Sequence, residues 1–315
     1  MQPIGTHEKE YSRREFLKRL GLGAVSAAVL AGGGVLFSSM FRPDEEKTKT
    51  KTKTMKRRRL VFYFTATGND LYVARQFSID NDGKPEDPLS IPQVMKQYGR
   101  GPMHWEADEI GIVYPIYWQK PPVMVQEFVS KSIFTCDYFF GILTYGCNCD
   151  TAPKIFTKLC KECGIKPDYV NAIIMVDNWL PGFDMNRQVA LDPSKHIEEQ
   201  IARQVDDVAR HVTFTRRSVP NFEHGPTFPV EARDQFTITD DCVGCGICTK
   251  VCPWGNYRVV DGRAKTSGPC EHCFACAQNC PQKAIYLTAG EANRHARYRN
   301  SHVSLQDIID ANCQL

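Results

Sequence analysis

The sequence has little net charge of either sign: 39 Lys and Arg stand against 36 Asp and Glu in 315 residues. What excess exists belongs to the first 59 residues, where 14 basic residues face 6 acidic ones; the other 256 carry 25 against 30. A mildly acidic body offers no basic face to a phosphate backbone, which excludes nucleic acid as a partner. No catalytic base or nucleophile stands out in the chain. Strongly apolar runs are also scarce. The uncharged stretch from Leu20 to Phe41 is 22 residues long, enough to span a bilayer, yet Gly21, Gly23 and Gly32 to Gly34 dilute it.

That stretch follows Ser12-Arg13-Arg14-Glu15-Phe16-Leu17-Lys18, which meets the twin-arginine export signature. Residues 1–41 therefore read as an export signal or a membrane anchor, and no small-x-small cleavage site follows them. Export places the protein in the periplasm or on the membrane, and suits a body that must receive its cofactors before transport. A basic linker, 42–59, comes next and ends in Lys56-Arg57-Arg58-Arg59. By the positive-inside rule this block favours a cytoplasmic body. Met55 offers a second start that gives a cytoplasmic form.

Cysteine is abundant, with 14 in the chain and eight of them between Cys242 and Cys280. Residues 242–253 and 270–281 both follow C-x2-C-x2-C-x3-C-P, the bacterial ferredoxin run for [4Fe–4S] clusters. Three thiolates two residues apart wrap one cubane, and the fourth completes the other cluster. One cluster then takes Cys242, Cys245, Cys248 and Cys280, and its partner takes Cys270, Cys273, Cys276 and Cys252. Zinc knuckles usually come as separated C-x2-C pairs, and disulfide scaffolds as small coreless domains. Short alternating stretches near 255–261 and 284–288 supply the bracketing strands. His272, between two ligands, reads as a solvent-facing filler because the thiolate set is complete without it.

From Leu60 the chain alternates strand and helix. Strands are expected at Leu60–Phe64, Ile110–Tyr114, Tyr138–Thr144 and Tyr169–Val176, with helices near 121–131, 152–163 and 193–213. This alternation predicts a parallel sheet whose ligands bind beyond the strands' carboxyl ends. Three loops fall there. Thr65 to Asn69 offers hydroxyls and amides at a helix start, although it is neither a Walker loop nor G-x-G-x-x-G. Pro115-Ile116-Tyr117-Trp118 and Thr144-Tyr145-Gly146 add aromatics on which a flat ring can stack. In this order the loops describe a site for flavin mononucleotide (FMN).

On these residues, with Asp177-Asn178-Trp179 and both cysteine runs, the chain over about 57–290 resembles the flavodoxin–ferredoxin fusion family. The resemblance implies an α/β flavodoxin-like doubly wound parallel sheet over 60–225, then a small α+β bacterial 2[4Fe–4S] ferredoxin-like domain over 226–290. Residues 291–315 are left as a surface helix or mobile tail. It further implies that Thr65, Thr67, Gly68 and Asn69 carry the flavin phosphate, with Pro115, Tyr117, Trp118, Thr144, Tyr145 and Gly146 around the ring. Asp70 departs from the pattern, because flavodoxin phosphate loops usually close with Thr or Ser and a carboxylate repels phosphate.

The expected function is electron transfer between FMN and two clusters, to or from a redox protein or a small donor or acceptor. Asp70 keeps open a reading in which the flavodoxin-like domain has lost FMN and docks a partner. A flavin-dependent reductase of a small acceptor is the third. Of the other cysteines, Cys147, Cys149, Cys160 and Cys163 do not make a third metal site if 152–163 is helical, since a 1.5 Å rise per residue separates the pairs by roughly 15 Å. A Cys160–Cys163 disulfide stays open for an exported body. Cys136 reads as a core filler and Cys313 as a tail thiol.

Overall fold

A computed structural model describes residues 57–79, 86–99, 101–217, 235–266, 268 and 270–315. The twin-arginine signature, the Leu20–Phe41 stretch, Met55 and nearly all of the basic linker lie outside the described residues. So does most of the segment that joins the two expected domains. No helix among the described residues is long and apolar enough to cross a membrane.

The sheet is built from β1 (Arg59–Tyr63), β2 (Leu89–Ser90), β4 (Glu109–Pro115), β6 (Tyr138–Tyr145), β7 (Tyr169–Ile174) and β8 (Phe214–Thr215). Their order is β2-β1-β4-β6-β7-β8, and every neighbouring pair is parallel. The chain runs outward from β1 to β2 and then returns to β1's other side. This is the doubly wound order of flavodoxin, and it puts the topological switch at β1 and β4. Six of seven residues in β4 and seven of eight in β6 are buried. Such continuous burial is what a parallel sheet covered on both faces demands, and it explains why these strands read as unbroken apolar runs.

The covering helices are α1 (Asn69–Phe77), α2 (Ile91–Tyr98), α3 (Val123–Lys131), α4 (Ala152–Glu162), α5 (Met185–Ala190) and α6 (Ile197–Ala209). A second parallel pair, β3 (Met103–Glu106) with β5 (Ser132–Thr135), was not legible in the sequence pattern. It forms around aromatic contacts: Trp105 lies 4.8 Å from Phe62, which lies 4.9 Å from Phe128. At the sheet's amino-terminal end, Arg59 bonds both the Glu109 carboxylate and the Phe77 carbonyl. Burial raises the Glu109 pKa, but Arg59 and His211 outweigh it and hold the carboxyl below its ordinary value.

The second half is small. Strand β9 (Phe236–Ile238) pairs antiparallel with β12 (Ile285–Leu287), and β10 (Tyr257–Val260) with β11 (Arg263–Thr266). Each cysteine run feeds one short helix, α7 (Ile247–Val251) or α8 (Ala275–Gln278). Residues 57–315 nevertheless form one compact unit.

The C-terminal residues differ from the expected tail. They return to the sheet and end in α9 (Leu305–Asn312), which opens with a Ser304–Asp307 capping box and buries Ile308, Ala311 and Asn312. Arg75 pairs with Asp307, and Gln93 donates to the Cys313 carbonyl at 2.9 Å. The apolar spacing of this helix is too short to signal burial by itself; its partners come from residues more than 200 positions earlier.

Two glycines set how closely the core packs. Gly111 on β4 pairs with Phe140 on β6, and a β-carbon there would lie 2.1 Å from the Phe140 ring. Gly141 meets the Phe156 ring in the same way at 2.2 Å. Both rings are fully buried and have nowhere to go. Gly111→Ala is therefore expected to cost about 1–3 kcal/mol through overpacking, read as a lower urea midpoint with an unchanged slope.

Candidate iron–sulfur centre and adjoining cavity

The two cysteine runs bring their thiols together across the repeat. Cys242, Cys245, Cys248 and Cys280 line one small hollow. Burial pushes the Cys248 thiol up to about 12, and Cys280, Cys242 and Cys245 are near enough to push it further. Burial likewise raises Cys273 well above its ordinary value, with Cys252, Cys276 and Cys270 contributing. Backbone amides point at the sulfurs: Ala264 and Ala284 donate to Cys242 and Cys280 at 3.4 Å, and Asn256 and His272 to Cys252 and Cys270 at 3.3 and 3.4 Å. Crowded thiols with amide donors fit an iron–sulfur core, whose four thiolates leave a net negative charge that sulfur-directed hydrogen bonds stabilise. Among the described residues no three His, Cys, Asp or Glu side chains lie close enough to hold a single metal ion. Cys147, Cys149, Cys160 and Cys163 are all free thiols, so Cys160 and Cys163 are not joined in a disulfide.

The two runs differ in backbone cost. In the first, the residues before and after Cys245 are Gly244 and Gly246, with φ of 66° and 74°. The corresponding residues around Cys273 are His272 and Phe274, with φ of 57° and 61°. This left-handed conformation is free for glycine but costs other residues about 1–2 kcal/mol each. Glu271 fixes the strained turn in place. Its carboxylate accepts from the Val123 and Met124 amides at 2.6 and 3.3 Å, at the start of α3, and from the Trp254 indole at 2.8 Å. Helix α3 has no side-chain cap of its own. A carboxylate there meets unpaired N–H groups and the positive end of the helix dipole.

His272 and Phe274 form one wall of a cavity of about 720 Å³. His272 is thus a cavity-lining residue, half-buried, and not the solvent-facing filler expected. The opposite wall comes from loops at the carboxyl ends of β1, β4, β6 and β7. The expected ring-site residues Pro115, Tyr117, Trp118, Thr144, Tyr145 and Gly146 all line it, and so does Asn69, expected on the phosphate. Trp179 and Phe183 complete an aromatic side, with Trp118 packed edge-on to Trp179 at 5.6 Å. Trp118 and Gln119 are themselves left-handed, so non-glycine strain gathers on this cavity from both halves of the chain. Tyr117 stands between cavity and thiols: burial raises its pKa, and Cys273, Asp70, Glu271 and Cys270 each add to the effect.

Thr65, Thr67 and Gly68 do not line the cavity. The Thr65 hydroxyl bonds the Asp70 carboxyl at 3.2 Å and accepts from the Gly68 amide at 3.1 Å. The Thr144 hydroxyl donates to Asp70 at 2.6 Å, and the Thr67 hydroxyl accepts from Asn178 at 2.8 Å. Hydroxyls expected on a phosphate are thus bonded to other side chains, and a buried carboxyl sits among them. The walls suit a flat aromatic ring; the loop does not fit the phosphate of FMN.

Residues 236–300 match the family model of a 4Fe-4S dicluster domain. The chain is 32% identical over 88 residues to YsaA of Escherichia coli (strain K12), named as a proposed electron transport protein; the match covers 26% of this chain and 51% of YsaA. It is 47% identical over 47 residues to a component of the ion-translocating oxidoreductase complex of Methanosarcina acetivorans, covering 15% of this chain and 18% of that protein. The chain thus spans about half the length of one curated relative and less of the other. A crystal structure of a proposed flavoprotein from Bacteroides eggerthii DSM 20697 is 16% identical, covers 49% of this chain and 98% of that one, and overlaps with a TM-score of 0.29. That overlap is too slight to bear on the fold, which the strand order establishes. A flavodoxin-like sheet followed by a 4Fe-4S dicluster domain is the arrangement of the fusion family that the sequence resembles.

Asp70 gives the site a pH signature. Desolvation outweighs its hydroxyl partners and pushes it from the ordinary 3.8 up to about 7. A folded pKa above the unfolded one contributes stability that is complete at low pH and is lost as pH rises through about 7. Asp70→Asn removes that loss. The melting temperature of the variant is expected to gain on the parent's between about pH 4 and about pH 8, mostly below 7. Parallel pH profiles would place Asp70 in solvent.

Proposed function

We propose that this protein carries single electrons on two [4Fe–4S] clusters and exchanges them with a flat ring held in the cavity beside the second cluster. Cys242, Cys245, Cys248 and Cys280 hold the first cluster, and Cys252, Cys270, Cys273 and Cys276 the second. Each cluster supplies a one-electron store whose potential follows its charge, burial and sulfur-directed hydrogen bonds. The chain's own contribution is to bury the second set, aim amides at the sulfurs and exclude water between thiols and cavity.

The observation that carries this reading is the use of His272 and Phe274 where the first run has glycine. In the first run, which does not line the cavity, glycine stands at both positions. In the second, two strained residues turn the cluster's own loop into the wall of a ring-sized cavity, which is near the middle of the range for small-molecule sites. The first run faces outward, with Cys245 exposed and Val243 exposed at 64%. An external redox protein or small donor meets that side, and the ring lies at the other end. The electron-transport names of the two relatives agree with this class of function.

Anaerobically purified full-length protein is expected to hold about eight iron and eight sulfide per chain. The crossed ligand sets make a sharper prediction. A Cys242→Ala, Cys280→Ala double variant should keep about half the iron, because both residues serve one cluster. A Cys242→Ala, Cys252→Ala double variant should keep almost none. Equal iron in the two variants would show that the runs do not share ligands this way.

A further inference from the structure

The loop after β1 is closed over by the chain's own C-terminal segment. The Asn300 amide donates to the Thr67 carbonyl at 2.8 Å, and the Asn312 side chain to the Thr65 carbonyl at 2.9 Å. The Asn69 side-chain oxygen accepts from the Tyr298 hydroxyl at 2.6 Å and from Asn300 at 3.1 Å. Gly68 is left-handed, with φ of 97°, and a β-carbon added to it would stand 2.8 Å from the Val303 side chain. Thr65 and Thr67 are consequently 0% and 1% exposed. This burial sits at the head of α1, where a flavodoxin-type phosphate would need open amides and hydroxyls.

Desolvation, as well as shape, opposes a phosphate. A phosphate monoester carries −1.5 to −2 charges near neutral pH, and here it would be desolvated against the Asp70 carboxyl. Nothing comparable guards the rest of the site. The ring side of the cavity is open, about 720 Å³ in volume, and lined by Tyr117, Trp118, Tyr145 and Trp179. From the loop after β1 and the head of α1, Ala66, Asn69 and Asp70 line it.

We propose that the cavity takes a flat, uncharged redox ring without a phosphate group, a quinone or an unphosphorylated isoalloxazine, because residues 298–312 stand permanently where the phosphate of FMN would go. This deepens the proposed function and rests on its reading of the cavity. The C-terminal segment is then a structural plug, tied to the sheet by α9, and the flavodoxin-like domain has kept a ring site while giving up its nucleotide site.

The test is equilibrium binding to full-length, iron-loaded protein under anaerobic conditions, with riboflavin, FMN and menadione as separate probes. Riboflavin, menadione or both are expected to bind at least about tenfold tighter than FMN, a difference of about 1.4 kcal/mol. Trp179→Ala, which alters a partly exposed wall residue, should weaken whichever probe binds. Riboflavin binding alone would mark the ring as an isoalloxazine, and menadione binding alone as a quinone. FMN binding as tightly as riboflavin, and weakened by Trp179→Ala, would overturn the plug while leaving the cavity reading intact. No binding of any probe to protein with full iron would overturn both.

Discussion

A carboxylate from one half of the chain caps a helix from the other. Glu271 lies between a cluster cysteine and His272, and its oxygens satisfy the first amides of α3. Burial raises the Glu271 carboxyl above its ordinary value despite these bonds, but leaving the two amides unsatisfied would cost about 1–3 kcal/mol each, the same order as the backbone cost of a left-handed His272 and Phe274. Remove the cap and the second cysteine run loses its anchor on the sheet. With it, the cluster loop, the Tyr117 hydroxyl and the loops beyond β4 and β6 are held against one another, and a cavity is left between them.

The C-terminal segment completes the same union from the opposite side. It leaves the ferredoxin-like half, lays Tyr298, Asn300 and Val303 over the loop after β1, and buries one face of α9 beside α2. His302 stacks on Tyr72 of α1 with ring centroids 4.4 Å apart. Residues 57–315 are thus one unit, with the loop of the second cysteine run at one wall of the cavity and the loop after β1 covered by the C-terminal segment. An electron path is useful only when its end points hold a fixed spacing, and these contacts remove the relative motion that separate domains would have.

Asp70 shows how far burial can redirect a familiar loop. In water a carboxylate beside threonines would be ionised and solvated. Two hydroxyl donors are too few to replace that water, so desolvation wins and the proton is held to about pH 7. A group in that state bonds its own loop.

By itself the sequence determined the doubly wound sheet, because strands covered on both faces must be continuously apolar and alternate with helices. It determined the 4Fe-4S domain, because the spacing of cysteines around a cluster is local and leaves its mark within twelve residues. The glycines of the first run and their replacement by His272 and Phe274 were also visible, as a difference between two copies of one motif. What they line was not visible, since the cavity is formed by residues about 150 positions away. Only the tertiary structure decided that the loop after β1 is plugged: Thr65 and Thr67 look the same open or closed, and the residues that cover them lie more than 220 positions later. Local chemistry can be read from local spacing, whereas access to a site depends on which distant segment the fold brings to rest upon it.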